Sequence, residues 1–135
     1  MILCDTGIIV AALDPNDNDH HLCAKMLKTV RAPLLTTWPC MTETMYLIGD
    51  RAGYRGQEKL REYIERGAVQ FSVPTLDDAL RACKLMRQYA DVPMDFADAS
   101  LVVAAETLTI TQILTLDGHF HAYRINSKTP FEVMP

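Results

Sequence analysis

The chain's 135 residues fit one domain, and a hydrophobic content of 49% supplies one buried core, which excludes an intrinsically disordered polypeptide. A net charge of -4 and a pI near 5.5 argue against binding to nucleic acid through a broad basic surface. They leave nucleic acid open as a substrate, because acids gathered around divalent cations turn a neutral or positive face to phosphate. No apolar run approaches the roughly 18 residues of a membrane span. The opening MILCDTGIIVAALD has no basic lead and meets an acid at Asp5, which makes it a poor signal peptide. Cys4, Cys23, Cys40 and Cys83 form no CxxC pair and fall in apolar patterns, the placement of buried, reduced thiols. The expectation is a soluble, cytoplasmic protein in which residues 1–135 make a single domain.

In chain order, Ile2 to Asp5 is a short apolar strand closing on an acid, and Thr6-Gly7 turns into a helix that runs to Leu13. The DPNDND cluster at 14–19 offers turn residues and N-caps before a second helix, His20 to Val30, with Leu22, Met26, Leu27 and Val30 at helical spacing. Leu34 to Thr37 reads as a buried strand. Pro39 then suits the first turn of a helix carrying Met41, Met45, Tyr46 and Ile48, with Glu43 one turn inside it. Gly49 to Gly56 punctuates the pattern, and Gln57 to Arg66 follows as a solvated amphipathic helix ended by Gly67.

Val69 to Val73 alternates like a strand, and Pro74-Thr75 opens a helix in which Thr75 and Asp78 form a capping box. Leu76, Leu80, Cys83 and Met86 are its expected buried stripe. The DVPM segment at 91–94 breaks the chain before a small-residue helix from Asp95 to Thr107. Ile113 to Leu116 is the next strand, Asp117-Gly118 a turn, and Tyr123 to Ile125 and Phe131 to Met134 are short strands near the end. Strands alternating with helices predict a parallel sheet covered on both faces and wound with right-handed crossovers.

Four acids stand out on that plan: Asp5, Glu43, Asp98 and Asp117. In an open α/β sheet the crevice beyond the carboxyl ends of the strands binds ligands, so acids at such ends converge in space. Crowded carboxylates stay ionised only with a cation among them, and oxygen donors select a hard divalent ion. Each acid also has a plainer role. Asp5 can cap the helix after it, and Asp117 can open an Asp-Gly turn. Asp95 fits a helix N-cap that supports the site from outside the ligand set. Asp98 lies among Phe96, Ala97, Ala99, Leu101 and Val102, where an unpaired charge is costly, and Glu43 is expected to face inward.

Other chemistries fit less well. His20-His21 and the His119/His121 pair lack the spacing of a closed zinc site. Ser72 and Ser100 have no GxSxG context. Arg51, Arg55, Lys59, Arg61 and Arg66 interleave with Glu58, Glu62 and Glu65, which makes ion-paired helix surface the expected reading over a phosphate-binding face.

Taken in order, LCDTGIIVAALD, TTWPCMTETMYLI, MDFADASLVVAAE and ILTLDGHF resemble the four motif regions of PIN-domain ribonucleases, and within them the VapC toxins of type II toxin-antitoxin systems. The resemblance spans nearly the whole chain. It implies a three-layer α/β fold with a central, mainly parallel sheet of four to five strands and helices on both faces. It also implies an endoribonuclease using Mg²⁺ or Mn²⁺ on tRNA, rRNA or mRNA, a VapB-like antitoxin partner, and a homodimer. By that resemblance Asp5, Glu43, Asp98 and Asp117 are the metal-binding acids, with Thr6, Asp95 and Thr115 in support. Many relatives carry a further acid two residues after the last metal-site Asp, where this chain has His119. That leaves one or two ions open, and leaves His119 able to accept a hydrogen bond, touch substrate or serve structure. Phosphodiester hydrolysis follows, with metal-activated water and no protein nucleophile. The competing reading is a catalytically weak PIN-fold module that holds RNA or protein.

Overall fold

Five parallel strands of three residues each form the centre of the computed structural model, which describes residues 1–135. They are β1 (Ile2–Cys4), β2 (Leu34–Thr36), β3 (Val69–Phe71), β4 (Gln112–Leu114) and, after the hairpin strands β5 (Arg124–Ile125) and β6 (Thr129–Pro130), β7 (Glu132–Met134). The order across the sheet is β3-β2-β1-β4-β7. Helices α1 (Thr6–Leu13), α2 (His20–Thr29), α3 (Trp38–Glu65), α4 (Leu76–Gln88) and α5 (Phe96–Leu108) cover it.

Strand alternation divides the core into two layers. Leu3, Leu35 and Ile113 point to one face, against α4, α5, Phe120, Tyr123 and Phe131. Ile2, Cys4, Leu34 and Leu114 point to the other, against α1, Cys23 of α2, and Ile48 and Leu60 of α3. The register matches this division, because Leu3 pairs with Leu35 and Ile113 while Cys4 pairs with Leu114. A slip of one residue in β1 would turn every one of these side chains to the wrong layer.

Topology positions the site. From β1 the chain steps through β2 to β3 on one side, then crosses back so that β4 joins β1 on the other. Strands β1 and β4 thus flank the switch point, where a crevice opens beyond their carboxyl ends.

The break between residues 49 and 56 is a sharp bend inside α3, centred on Gly53 at φ 64° and ψ -163°. That conformation is closed to residues with a Cβ, so glycine is required. The bend brings Gln57 Nε2 to 3.0 Å from Met45 O, two residues that a straight helix would separate by about 18 Å. A Cβ on Gly56 would lie 2.7 Å from Ile48 Cγ2, so the two arms also need glycine to touch. Beyond the bend, Arg61 pairs with Glu58 and Glu65, as expected of a solvated helix face, whereas Arg51 reaches back to Asp14 and Asp17.

Two expectations are corrected. The α4 stripe is largely inverted: Leu76 is 75% and Leu80 53% exposed and Cys83 is exposed, while Ala82 and Leu85 face the core, joined by Met86, which packs against it partly buried as expected. Small side chains explain this, since Ala82 lets α4 lie close on the alanine-rich α5 while the long leucines remain outside. Of the four thiols, Cys4, Cys23 and Cys40 are buried, and burial pushes their pKa values up, Cys40 to about 12, but Cys83 is on the surface. Strand β6 carries no alternating pattern and is visible only as the partner of β5. The Thr75/Asp78 capping box is formed as expected.

The inverted stripe sets a test within one helix. Leu85→Ala should cost about 2–5 kcal/mol, whereas Leu76→Ala should change stability by less than about 0.5 kcal/mol, both read from urea unfolding.

Candidate active site

Asp5 sits at the carboxyl end of β1 and is the N-cap of α1. Its Oδ1 accepts the Thr6 backbone N–H at 2.7 Å, and its Oδ2 accepts the Thr115 hydroxyl at 2.8 Å. Thr115, buried just past β4, also takes the backbone N–H of Asp117 on its own oxygen at 3.0 Å. One threonine therefore fixes the acids from both central strands.

Thr6 does the same toward α3. Its hydroxyl lies 3.1 Å from Cys40 O and 3.2 Å from Glu43 Oε2, so it can donate to either. Glu43 is solvent-exposed, which corrects the inward expectation: it lies on the rim of the crevice, and the buried polar neighbour is Thr44, which donates to Cys40 O. Asp95 and Asp98 form a second capping box at the start of α5, Asp98 N donating to Asp95 Oδ1 and Asp95 N to Asp98 Oδ2. Asp95 thus has the cap role expected of it.

The acids act on one another through space. Burial lifts the Asp5 carboxyl above the usual carboxylate range, against the pull of its Thr115 and Thr6 bonds, and the charges of Asp117 and Glu43 add to the rise. Although Glu43 is exposed as a residue, partial burial of its carboxyl end raises it first and Asp95 second, with Thr6 opposing. Asp98 is pushed to about 7, first by burial and then by Asp95, Asp5 and Asp117, despite the bond from Asp95 N. Four residues remote in sequence are therefore brought into one electrostatic cluster, with Asp95 at its edge.

As the side chains stand, no three His, Cys, Asp or Glu groups are arranged to hold a metal ion. Repulsion among carboxylates explains the splayed arrangement, in which each acid turns an oxygen to a hydroxyl or a backbone N–H. The donors nonetheless suit a hard divalent cation. They are all oxygens, they are held by outer hydrogen bonds that orient them, and Asp98 is pushed to a pKa that a nearby cation would reverse.

His119 stands two residues after Asp117. Its backbone N–H donates to Asp117 Oδ1 at 2.9 Å, and its ring Nδ1 lies 3.0 Å from the same oxygen. That ring contact is an ion pair when the imidazole is protonated, and the hydrogen bond His119 makes to Asp117 comes from its backbone N–H. One neighbour had no signal in the sequence. Tyr123 is fully buried, its hydroxyl donates to Pro93 O ahead of the α5 cap, and burial together with the charges of Asp98, Asp117 and Asp95 raises its pKa. Its spacing from those acids in the chain says nothing of this contact.

The PIN domain family model matches residues 2–126. The chain belongs to the PIN-domain family. It is similar to ribonuclease VapC26 of Mycobacterium tuberculosis, with 26% identity over 135 residues covering 99% of this chain and 100% of the relative. Among solved PIN structures, VapC20 of the same organism, described as a sarcin-ricin loop cleaving toxin, superposes with a TM-score of 0.84 at 20% identity, covering 96% of this chain and 100% of that one. VapBC2 of Rickettsia felis, bound to a DNA fragment of its promoter, gives a TM-score of 0.68 at 14% identity, with 98% of each chain covered. These likenesses establish the three-layer α/β PIN fold with its parallel sheet.

The raised Asp98 pKa carries a pH consequence. In the unfolded chain an Asp binds its proton below about 3.9. The folded metal-free domain keeps it to about 7, so between those values the native state binds the extra proton and stability falls as pH rises. Thermal melting in EDTA should therefore decline from pH 4 to 7. Asp98→Asn should flatten the decline and raise the melting temperature at pH 8.

Proposed function

We propose that this PIN domain is a metal-dependent endoribonuclease, the toxin of a toxin-antitoxin pair. The observation that carries the proposal is the gathering of Asp5, Glu43, Asp98 and Asp117 at the β1/β4 switch point, where burial and neighbouring charge hold Asp5, Glu43 and Asp98 above the usual carboxylate range, a cluster costly to a fold that makes no use of it. Support for RNA as substrate comes from the relatives, one a ribonuclease and another described as cleaving the sarcin-ricin loop. No helix is long and apolar enough to cross a membrane, and we place the protein's work among cytoplasmic RNAs.

In this reading Asp5, Glu43, Asp98 and Asp117 hold Mg²⁺ or Mn²⁺. Such an ion supplies polarisation of the scissile phosphate and a lowered pKa for a bound water. The chain's own part is orientation. Thr115 and the Thr6 N–H fix both oxygens of Asp5, the Thr6 hydroxyl is within reach of Glu43 Oε2, and the capping box sets Asp98 on the first turn of α5. Water attacks phosphorus and the bond to the leaving ribose oxygen breaks. No side-chain nucleophile takes part, and the His119 ring is engaged with Asp117.

Partners follow the same relatives. Solved neighbours include VapBC2 and a Klebsiella pneumoniae toxin-antitoxin complex. We propose a small VapB-like antitoxin and a homodimer for this chain. The exposed Leu76 and Leu80 on α4 are apolar surface of the kind a protein partner covers.

Cleavage of single-stranded RNA should require Mg²⁺ or Mn²⁺, stop with EDTA, and fall at least about 100-fold in Asp5→Asn and Asp98→Asn. Thr115→Val should cost about 10- to 100-fold through loss of the bond that orients Asp5. Undiminished cleavage by either Asn variant refutes the assignment of the acids.

A further inference from the structure

We propose that the cavity bounded by the start of α3, the 72–75 segment, α4 and α5 is a nucleobase subsite, in which Trp38 and Phe96, at its end nearest the starts of α3 and α5, receive one unpaired base of single-stranded RNA. The inference rests on the nuclease reading above and adds to it how substrate is gripped. The cavity has a volume of about 340 Å³, with Thr37, Trp38, Pro39 and Phe96 at one end and a wall that continues past Ser72 and the α4 residue Ala82 along α5 to Leu108.

Its position ties it to the acids. Phe96 directly follows Asp95, the cap of α5. Pro39 lies four residues before Glu43, and so on the same face of α3 one turn away. The starts of α3 and α5 meet beside the cavity, with Thr37 Oγ1 2.6 Å from Ser100 Oγ and Cys40 Sγ 3.8 Å from Ala97 O.

Its chemistry suits a base. Trp38 is 55% and Phe96 41% exposed, an unusual state for two large aromatic side chains lining one cavity. The indole is held in place by stacking on Phe71, with ring centroids 4.9 Å apart and planes at 13°, which leaves its other face for a ligand. The Thr37 and Ser100 hydroxyls lie 2.6 Å apart on the wall, and Ser100 donates onward to Ala97 O, so Thr37 donates to Ser100. Hydroxyls beside aromatic faces can meet the polar edge of a base that stacks.

Phosphate does not suit the cavity. The one charged residue on its wall is Asp78, whose carboxylate accepts the Thr75 N–H in the α4 capping box. The phosphate of a bound nucleotide therefore stays outside, toward the acids and their cation, while the base enters.

Trp38 is the chain's single tryptophan, so its fluorescence reports the cavity directly. The full chain with Mg²⁺ is titrated with each nucleoside 5′-monophosphate, which carries a base and a phosphate but no bond to cleave, and with ribose 5-phosphate. The nucleotides should quench saturably and the sugar phosphate should not. Phe96→Ala should weaken the nucleotides by roughly 5- to 150-fold, the worth of one stacked base, and Phe96→Tyr should restore them. Unchanged fluorescence with every nucleotide, in a protein that still cleaves RNA, overturns the subsite and leaves the nuclease reading intact. Quenching without any cleavage keeps the subsite and removes the nuclease. Fluorescence that follows protein concentration alone, with no response to nucleotides, assigns the cavity to a second copy and overturns the proposal.

Discussion

The partly buried hydrogen bond from the Thr115 hydroxyl to Asp5 Oδ2 joins the two strands on which the site depends. It closes the β1/β4 switch point and fixes the most enclosed of the acids. Through the Asp117 N–H, which donates to the same threonine, it also sets the acid that follows β4. On the other side of Asp5, Thr6 carries the restraint to α3 and Glu43. Two threonines thus connect three elements that share no local sequence.

Electrostatics and packing meet at this point. Strands of three residues contribute little beyond a row of apolar contacts, and the two core layers above and below them supply the cohesion. That cohesion takes carboxylates partly out of water and sets them near one another, and burial first, then neighbouring charge, is why Asp5, Glu43 and Asp98 all resist ionisation in the metal-free domain. Strain of this kind is characteristic of sites where a ligand repays the cost.

Much of this was legible from residue order. An apolar run ending on Asp5, another followed by Asp117, and Asp95 and Asp98 three apart after a Pro-containing break all mark places where a strand stops or a helix starts. These are local signals, and they survive folding because caps and turns are local structures. The α4 stripe was not legible, because two faces of that helix are apolar and the choice between Leu76/Leu80 and Ala82/Leu85 is made by how closely α5 can approach. The rim position of Glu43 was hidden for a related reason: the neighbouring Thr44 satisfies its hydroxyl on Cys40 O and takes the inward place. Tyr123 meets Pro93 only through the fold of the chain after β4.

The central claim is that these acids form one cluster built for a divalent cation. Calorimetric titration of the metal-free protein with Mn²⁺ near pH 6.5, repeated in buffers of different ionisation enthalpy, measures proton release directly. Binding accompanied by release of protons, diminishing toward pH 9 and reduced in Asp98→Asn, is the result predicted. Failure to bind Mn²⁺, or binding that releases no proton near pH 6.5, would contradict the account.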